Sequence, residues 1–334
     1  MLRGYWFNSR QNAEEVLQKG FFMPKTHFWF QIPTNTECVT KATVSAFYGE
    51  TLAFEKDYVL EKPQPEGFIT LTQTAETLKA DPDRLGVKVV CGESVFEESI
   101  PCSYVEISGM TTDFDGQPLP AAVVFNYDSF GGMERGMGVW SDVHGFYKIR
   151  LPKGEYNSIF VDDHTYGSET LEAWGWKMIV DRDEVHDFKI GNGEVYSLDA
   201  WANNGGDASL FIYFRPMVLS FALMAKQLEQ QEERPMVAIG GRKFVHVPLS
   251  PDITDASAQI NGKKLEKISL QKIYETSAGG VAMPAYILQC VRPFGTGKQT
   301  LIVEYDFTDA DGQPARGQGR TQFHYTSPFG LALR

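Results

Sequence analysis

The sequence predicts an all-β protein, several β-sandwich modules in series with one short N-terminal helix. Three observations carry this. Aromatic residues make up 13% of the chain, with 23 Phe and 14 Tyr, and these side chains fit pleated, half-buried surfaces. Short runs rich in Val, Phe, Tyr and Thr recur along the chain, the spacing expected of sandwich strands. Between them, 31 Gly and 17 Pro supply the turns. A chain of 334 residues accommodates about two or three domains, each with its own core.

Taken in order, residues 9–19 read as a helix: Ser9 caps it, Ala13, Val16 and Leu17 form an apolar stripe, and Gly20 stops it. Strands follow at 27–33, 39–48, 51–60, 68–74, 85–91 and 95–107, giving an N-terminal sandwich over 1–103. A second module spans 104–165. Strands at 170–180, 184–190, 194–201 and 209–217 exceed what it needs. Residues 166–232 are therefore either an additional β subdomain with a linker or strands that complete the N-terminal sandwich. Residues 225–234 (A-K-Q-L-E-Q-Q-E-E-R) form a short helix or that linker. Strands at 244–248, 257–260, 285–291, 299–307 and 318–325, with an Asn261-Gly262 hairpin turn, make 233–334 an immunoglobulin-like sandwich.

The most informative stretch starts at Ile107 as I-S-G-M-T-T-D-F-D-G-Q-P-L-P-A-A-V-V and continues from Ser141 as S-D-V-H-G-F-Y-K-I-R-L-P-K-G-E-Y. It reads strand, tight turn at 113–118, strand, second turn at 141–145, strand, and a closing Leu-Pro-x-Gly-x-Tyr turn. This punctuation resembles the carboxypeptidase regulatory-like domain, a transthyretin-type β-sandwich, over Tyr104–Asp163. The resemblance implies that fold and a non-catalytic accessory role, often beside carbohydrate- or peptide-processing enzymes. The turn T-D-F-D-G-Q-P at 112–118 returns as T-D-A-D-G-Q-P at 308–314. Unrelated flanks mark it as one good turn used twice.

Charge and motifs narrow the functions. A net charge of −12 and the lack of a basic run argue against nucleic acid and anionic membranes. The longest apolar stretch, 217–225, is far shorter than the ~20 residues a membrane-spanning helix needs. Residues 1–11 do not read as a signal peptide, so the protein is expected in the cytoplasm if Met1 is the native start, or outside the cell after removal of a leader. The four cysteines, Cys38, Cys91, Cys102 and Cys290, are scattered and read as buried free thiols, which favours a reducing compartment.

No protease, hydrolase or nucleotide-binding motif is present, and no cofactor is called for. The glycine-rich segments 131–138 and 294–300 read as a loop and a hairpin turn. Asp162-Asp163-His164 is either a solvated turn or a weak constellation for a divalent metal or acid–base pair. The Asp113/Asp115 and Asp309/Asp311 pairs read as turn chemistry rather than calcium ligands. Trp174-Gly175-Trp176 places two indoles on one face of a strand. With Trp140, Trp201 and the polar Asn203 and Asn204, they form either a glycan-stacking surface or core. Arg215 is expected to pair with a sheet-edge glutamate such as Glu194. The resulting expectation is a non-catalytic recognition protein, carbohydrate-binding through 140–207. The alternative is a structural or assembly protein that self-associates or binds protein, and a hydrolase on Asp162, Asp163 and His164 ranks last.

Overall fold

The computed structural model describes residues 3–8, 25–31, 39–60, 68–74, 81–126, 136–202, 209–228, 233–247, 250–276, 280–308 and 312–325. The expected helix at 9–19 lies outside these residues, as do Asn203, Asn204, Asp309 and Asp311. The described fold is all-β, with a single short helix among the described residues.

Near the N-terminus, β1 (Arg3–Asn8), β2 (Lys25–Gln31) and β5 (Phe68–Thr74) form one antiparallel sheet. A second takes the order β4 (Thr51–Val59), β3 (Val39–Tyr48), β6 (Arg84–Cys91), β7 (Ser94–Pro101). Strict alternation decides which face is buried. Ala42, Val44 and Ala46 of β3, with Leu85, Val87 and Val89 of β6, point inward and meet Leu71 of β5. Polar β3 residues between them, Lys41 and Thr43, bind Asp57 on the outer face. The cysteine reading is corrected here. Cys102 and Cys290 are free thiols, but Cys91 is disulfide-bonded, its partner lying outside the described residues.

The central sandwich packs β8 (Tyr104–Thr112), β11 (Phe146–Pro152), β14 (Glu184–Val185) and β15 (Phe188–Lys189) against β9 (Ala122–Asn126), β10 (Gly136–Trp140), β12 (Gly154–Asp162) and β13 (Ala173–Val180). Its core holds Ile107, Val123, Phe125, Tyr147, Ile149, Tyr156, Ile159 and Phe188. Both turns expected from the sequence use one device. Asp113 Oδ1 accepts the amides of Asp115 and Gln117 at 2.8 Å each, and Asp142 Oδ1 those of His144 and Phe146 at 2.9 Å each. Gly145 is obligatory: its φ is 76°, and a Cβ there would lie 2.3 Å from the Thr111 carbonyl oxygen. Tyr156 closes the Leu-Pro-x-Gly-x-Tyr turn by donating to the Pro152 carbonyl at 2.9 Å.

The C-terminal sandwich is larger than 233–334. Its core takes Val195 and Leu198 from β16 (Gly193–Trp201) and Leu210, Ile212 and Phe214 from β17 (Ser209–Val218). The strands of 166–217 thus divide: β13 and β15 line the central core and β16 and β17 the C-terminal one. Helix α1 spans Leu219–Leu228, beginning N-terminal to the expected segment. Apolar helix formers L-S-F-A-L-M supply its first turns, and Phe221 packs edge-on to Phe307 at 5.6 Å. After β18 (Met236–Ile239), β19 (Arg242–His246), β20 (Asp255–Ile260) and β21 (Lys263–Lys264) come β22 (Lys267–Thr276), β23 (Val281–Val291), β24 (Gly297–Thr308) and β25 (Pro314–Tyr325). Asn261 and Gly262 turn β20 into β21, both at positive φ. One eight-stranded sheet, in the order β10-β9-β12-β13-β25-β24-β20-β21, runs through both sandwiches.

Candidate functional site: the junction of the central and C-terminal sandwiches

The two sandwiches meet at β25, where R-G-Q-G-R-T-Q (316–322) alternates glycine or Thr with long polar side chains. Period two sends these sets to opposite faces. On one face, Gln318, Arg320 and Gln322 are all buried. Each reaches the backbone of the central sandwich. Gln318 Oε1 accepts Lys189 N at 3.2 Å, Arg320 Nη2 donates to Asp187 O, and Gln322 Oε1 accepts Ile179 N at 2.7 Å. On the other face, added Cβ atoms on Gly317 and Gly319 would lie 2.8 Å from Glu194 N and 2.7 Å from Val195 Cβ. The missing side chains let β16 cross β25 backbone to backbone. β13 joins β25 in parallel, Trp174 opposite Gly319 and Trp176 opposite Thr321.

Lys298 reinforces the seam. Its buried ammonium lies 2.6 Å from Glu184 Oε1 and 2.9 Å from the Ile179 carbonyl oxygen. Burial alone would raise the Glu184 carboxyl. Hydrogen bonds from His186, Lys298 and Gln322 instead hold it well below the ordinary carboxylate range. Burial lowers the His186 pKa, keeping the imidazole neutral near pH 7. A cavity of about 620 Å³ beside the seam is lined by His186, Lys189, Asn261, Glu304 and Arg320 among others.

Beneath β16 lies an aromatic and acidic cluster. Trp174 and Trp176 stack on each other at 4.8 Å and 11°, and Tyr196 meets both edge-on at 5.5 and 5.1 Å. The Trp174 indole donates to Glu194 Oε2 at 3.1 Å. Arg215 sits 4.8 Å over the Tyr196 ring and pairs with Glu275 at 3.5 Å, so the expected Arg215–Glu194 pair is replaced by an Arg215–Glu275 one across the sheet. Glu194 is 3% exposed, and the Glu172 carboxylate neighbours it. Asp162, 2% exposed, is pushed up to about 8 by burial, with Glu172 and Asp163 adding repulsion. Burial, then Glu172, raises Glu194 as well.

The residues singled out in the sequence separate only in part. Trp174 and Trp176 share a face but cover one another, and the back of Gly175 is filled by Arg320, Ile159 and Met178. Trp140 is 5% exposed and packs with Ala122, Val124 and Phe160, and the half-buried Trp174 rests against the same cluster. Two strands stand between it and β13, a separation of about 14 Å. Trp201, 41% exposed, stacks on Phe211 at 5.8 Å; Phe211 is about 13 Å along β17 from Arg215. Asp162 and Asp163 are buried, so the solvated-turn reading gives way. Asp163 Oδ1 shapes the backbone by accepting Thr165 N at 2.9 Å and the Thr170 hydroxyl at 2.7 Å, while His164 is exposed. No three His, Cys, Asp or Glu side chains among the described residues are placed to hold a metal. A general acid must touch its substrate, and the raised carboxyls of Asp162 and Glu194 are sealed inside the protein.

Sequence reasoning missed Glu172, Gln318, Arg320 and Gln322. Alternation was the available signal: E-A-W-G-W puts Glu172, Trp174 and Trp176 in line, and N-G-E-V-Y does the same for Glu194 and Tyr196.

No family model and no curated protein matches this chain. Among solved structures it is similar to the major pilin subunit BcpA of Bacillus cereus, at 9% identity and TM-score 0.21 over 66% of this chain and 69% of that one. The major pilin SpaD of Corynebacterium diphtheriae gives 8% and 0.22 over 66% and 67%. A marsupial T cell receptor gives 7% and 0.17 over 97% and 98%. Superpositions this loose carry no argument about function.

Proposed function

We propose that this chain is a non-catalytic structural component that works by assembling with protein partners or further copies of itself. In this reading the central sandwich, of the carboxypeptidase regulatory-like kind, serves as a spacer. The observation that supports it is the continuous eight-stranded sheet, which makes two sandwiches one body through β13 and β25. A recognition protein needs its aromatic side chains free to stack on a ligand. Here Trp140 is buried, and the half-buried Trp174 and Trp176 stack on each other.

Sedimentation velocity across a concentration series tests the proposal, with a glycan array run on the same protein. The expected result is reversible self-association and no glycan retention. A concentration-independent monomer retained on glycans, and released by Trp201→Ala at the exposed Trp201–Phe211 stack, would favour carbohydrate recognition.

A further inference from the structure

The cavity of about 620 Å³ lies between β8, β14 and β15 of the central sandwich and β20, β24 and β25 of the C-terminal one. Most of the charged groups around it already have partners. Glu304 accepts from Gln318 at 2.7 Å and pairs with Lys189 at 3.0 Å. Glu184 holds Lys298, and Asp187 Oδ1 accepts the Met110 amide at 2.9 Å. Arg320 is the exception. It is 3% exposed, yet no carboxylate among the described residues forms an ion pair with it. Its Nη2 donates to the Asp187 carbonyl, its guanidinium lies 4.3 Å over the Phe188 ring, and its Nε meets no acceptor. Arginine keeps its charge inside proteins, and a buried charge without a counter-ion is costly.

We propose that this cavity is a binding site for a small organic acid with a single carboxylate, which supplies the counter-ion that Arg320 lacks. Charge sets the class of ligand. One cation without a partner calls for one negative charge, and the lining carboxylates of Glu184, Asp187 and Glu304 would repel a second. The rest of the lining suits an uncharged body. The Thr112 hydroxyl and the Gln259 amide line the cavity and have no hydrogen-bond partner among the described residues. Met110, Val185 and Ile302 add apolar surface. The volume falls in the range of small-molecule sites. The inference does not rest on the assembly reading, since a ligand held between two sandwiches of one chain needs no second copy.

Isothermal titration of the full chain with hippurate tests this, because hippurate carries one carboxylate, one amide and one phenyl ring. Hippuramide, the same shape without the charge, is its control. Hippurate should bind and raise the melting temperature with its concentration, and hippuramide should bind at least about tenfold more weakly. Arg320→Gln should abolish hippurate binding. Because Arg320 is also a rung of the seam, a second pair of variants spares the fold: Val185 is 68% exposed at the cavity. Val185→Glu should weaken hippurate about threefold or more and Val185→Lys strengthen it by a similar factor, both effects shrinking in high salt. Equal binding of hippurate and hippuramide, or no heat from hippurate at millimolar concentration, would overturn the site. So would hippurate retained by a folded Arg320→Gln, Val185 variants without opposite effects, or inorganic phosphate binding more tightly than hippurate.

Discussion

Single atoms decide the junction. Gly319 places no side chain between β25 and β16, and a methyl group there would meet Val195 Cβ at 2.7 Å and its carbonyl oxygen at 2.9 Å. Backbone cannot yield as a flexible side chain does. Gly319→Ala should cost about 1–3 kcal/mol, measured by urea unfolding, whereas Gly86→Ala, where an added Cβ would meet nothing nearer than 3.4 Å, should cost less. Equal costs would mean that β16 slides freely over β25. Glycine identity was plain in the sequence, but the partner was not: only a strand more than a hundred residues earlier explains it. The same holds for Trp174 and Trp176. Alternation placed them on one face, and nothing local said that Glu194 and Tyr196 would close over them.

At the scale of elements, strands whose apolar residues alternate were legible, because the pattern itself encodes a buried face. β3, β6 and β17 appear where the sequence placed them, while the single strand expected at 95–107 divides into β7 and β8. β22 was overlooked: K-I-S-L-Q-K-I-Y-E-T is mostly exposed, and its apolar residues read as scattered. Helix α1 was displaced because its apolar start continues the hydrophobic run of β17 without a turn residue between. The Cys91 disulfide was hidden because spacing along the chain says nothing of which strands lie side by side. Its removal gives a local test. Reduction should lower the melting temperature of the N-terminal sandwich, with about 2–5 kcal/mol lost, and leave the 104–325 transition in place. A shift of both transitions together would show that all three cores unfold as one.

For the whole molecule, the eight-stranded sheet sets cooperativity. The polar ladder of Gln318, Arg320 and Gln322 makes the C-terminal sandwich necessary to the central one, since each rung left unpaired would strand a buried polar group at about 1–3 kcal/mol. The N-terminal sandwich is joined through contacts such as Tyr104 to the Pro82 carbonyl and Arg150 to Asp81. Calorimetry should therefore resolve two transitions, one for the N-terminal sandwich and one for 104–325. Three separate transitions would contradict a shared sheet. This coupling was invisible in the sequence, where 166–232 fitted equally well as a separate subdomain.

The place of β25 also imposes an order in time. Ile179 waits for Gln322, a partner 143 residues later in the chain. At ribosomal rates of about 5–20 residues per second, β13 stands as a bare sheet edge for roughly 7–30 s. Nascent chains in that interval present β13 to any other unpaired strand. The newborn protein is thus most exposed to misassembly before β25 is made, and a chaperone that shields β13 would be needed only until then.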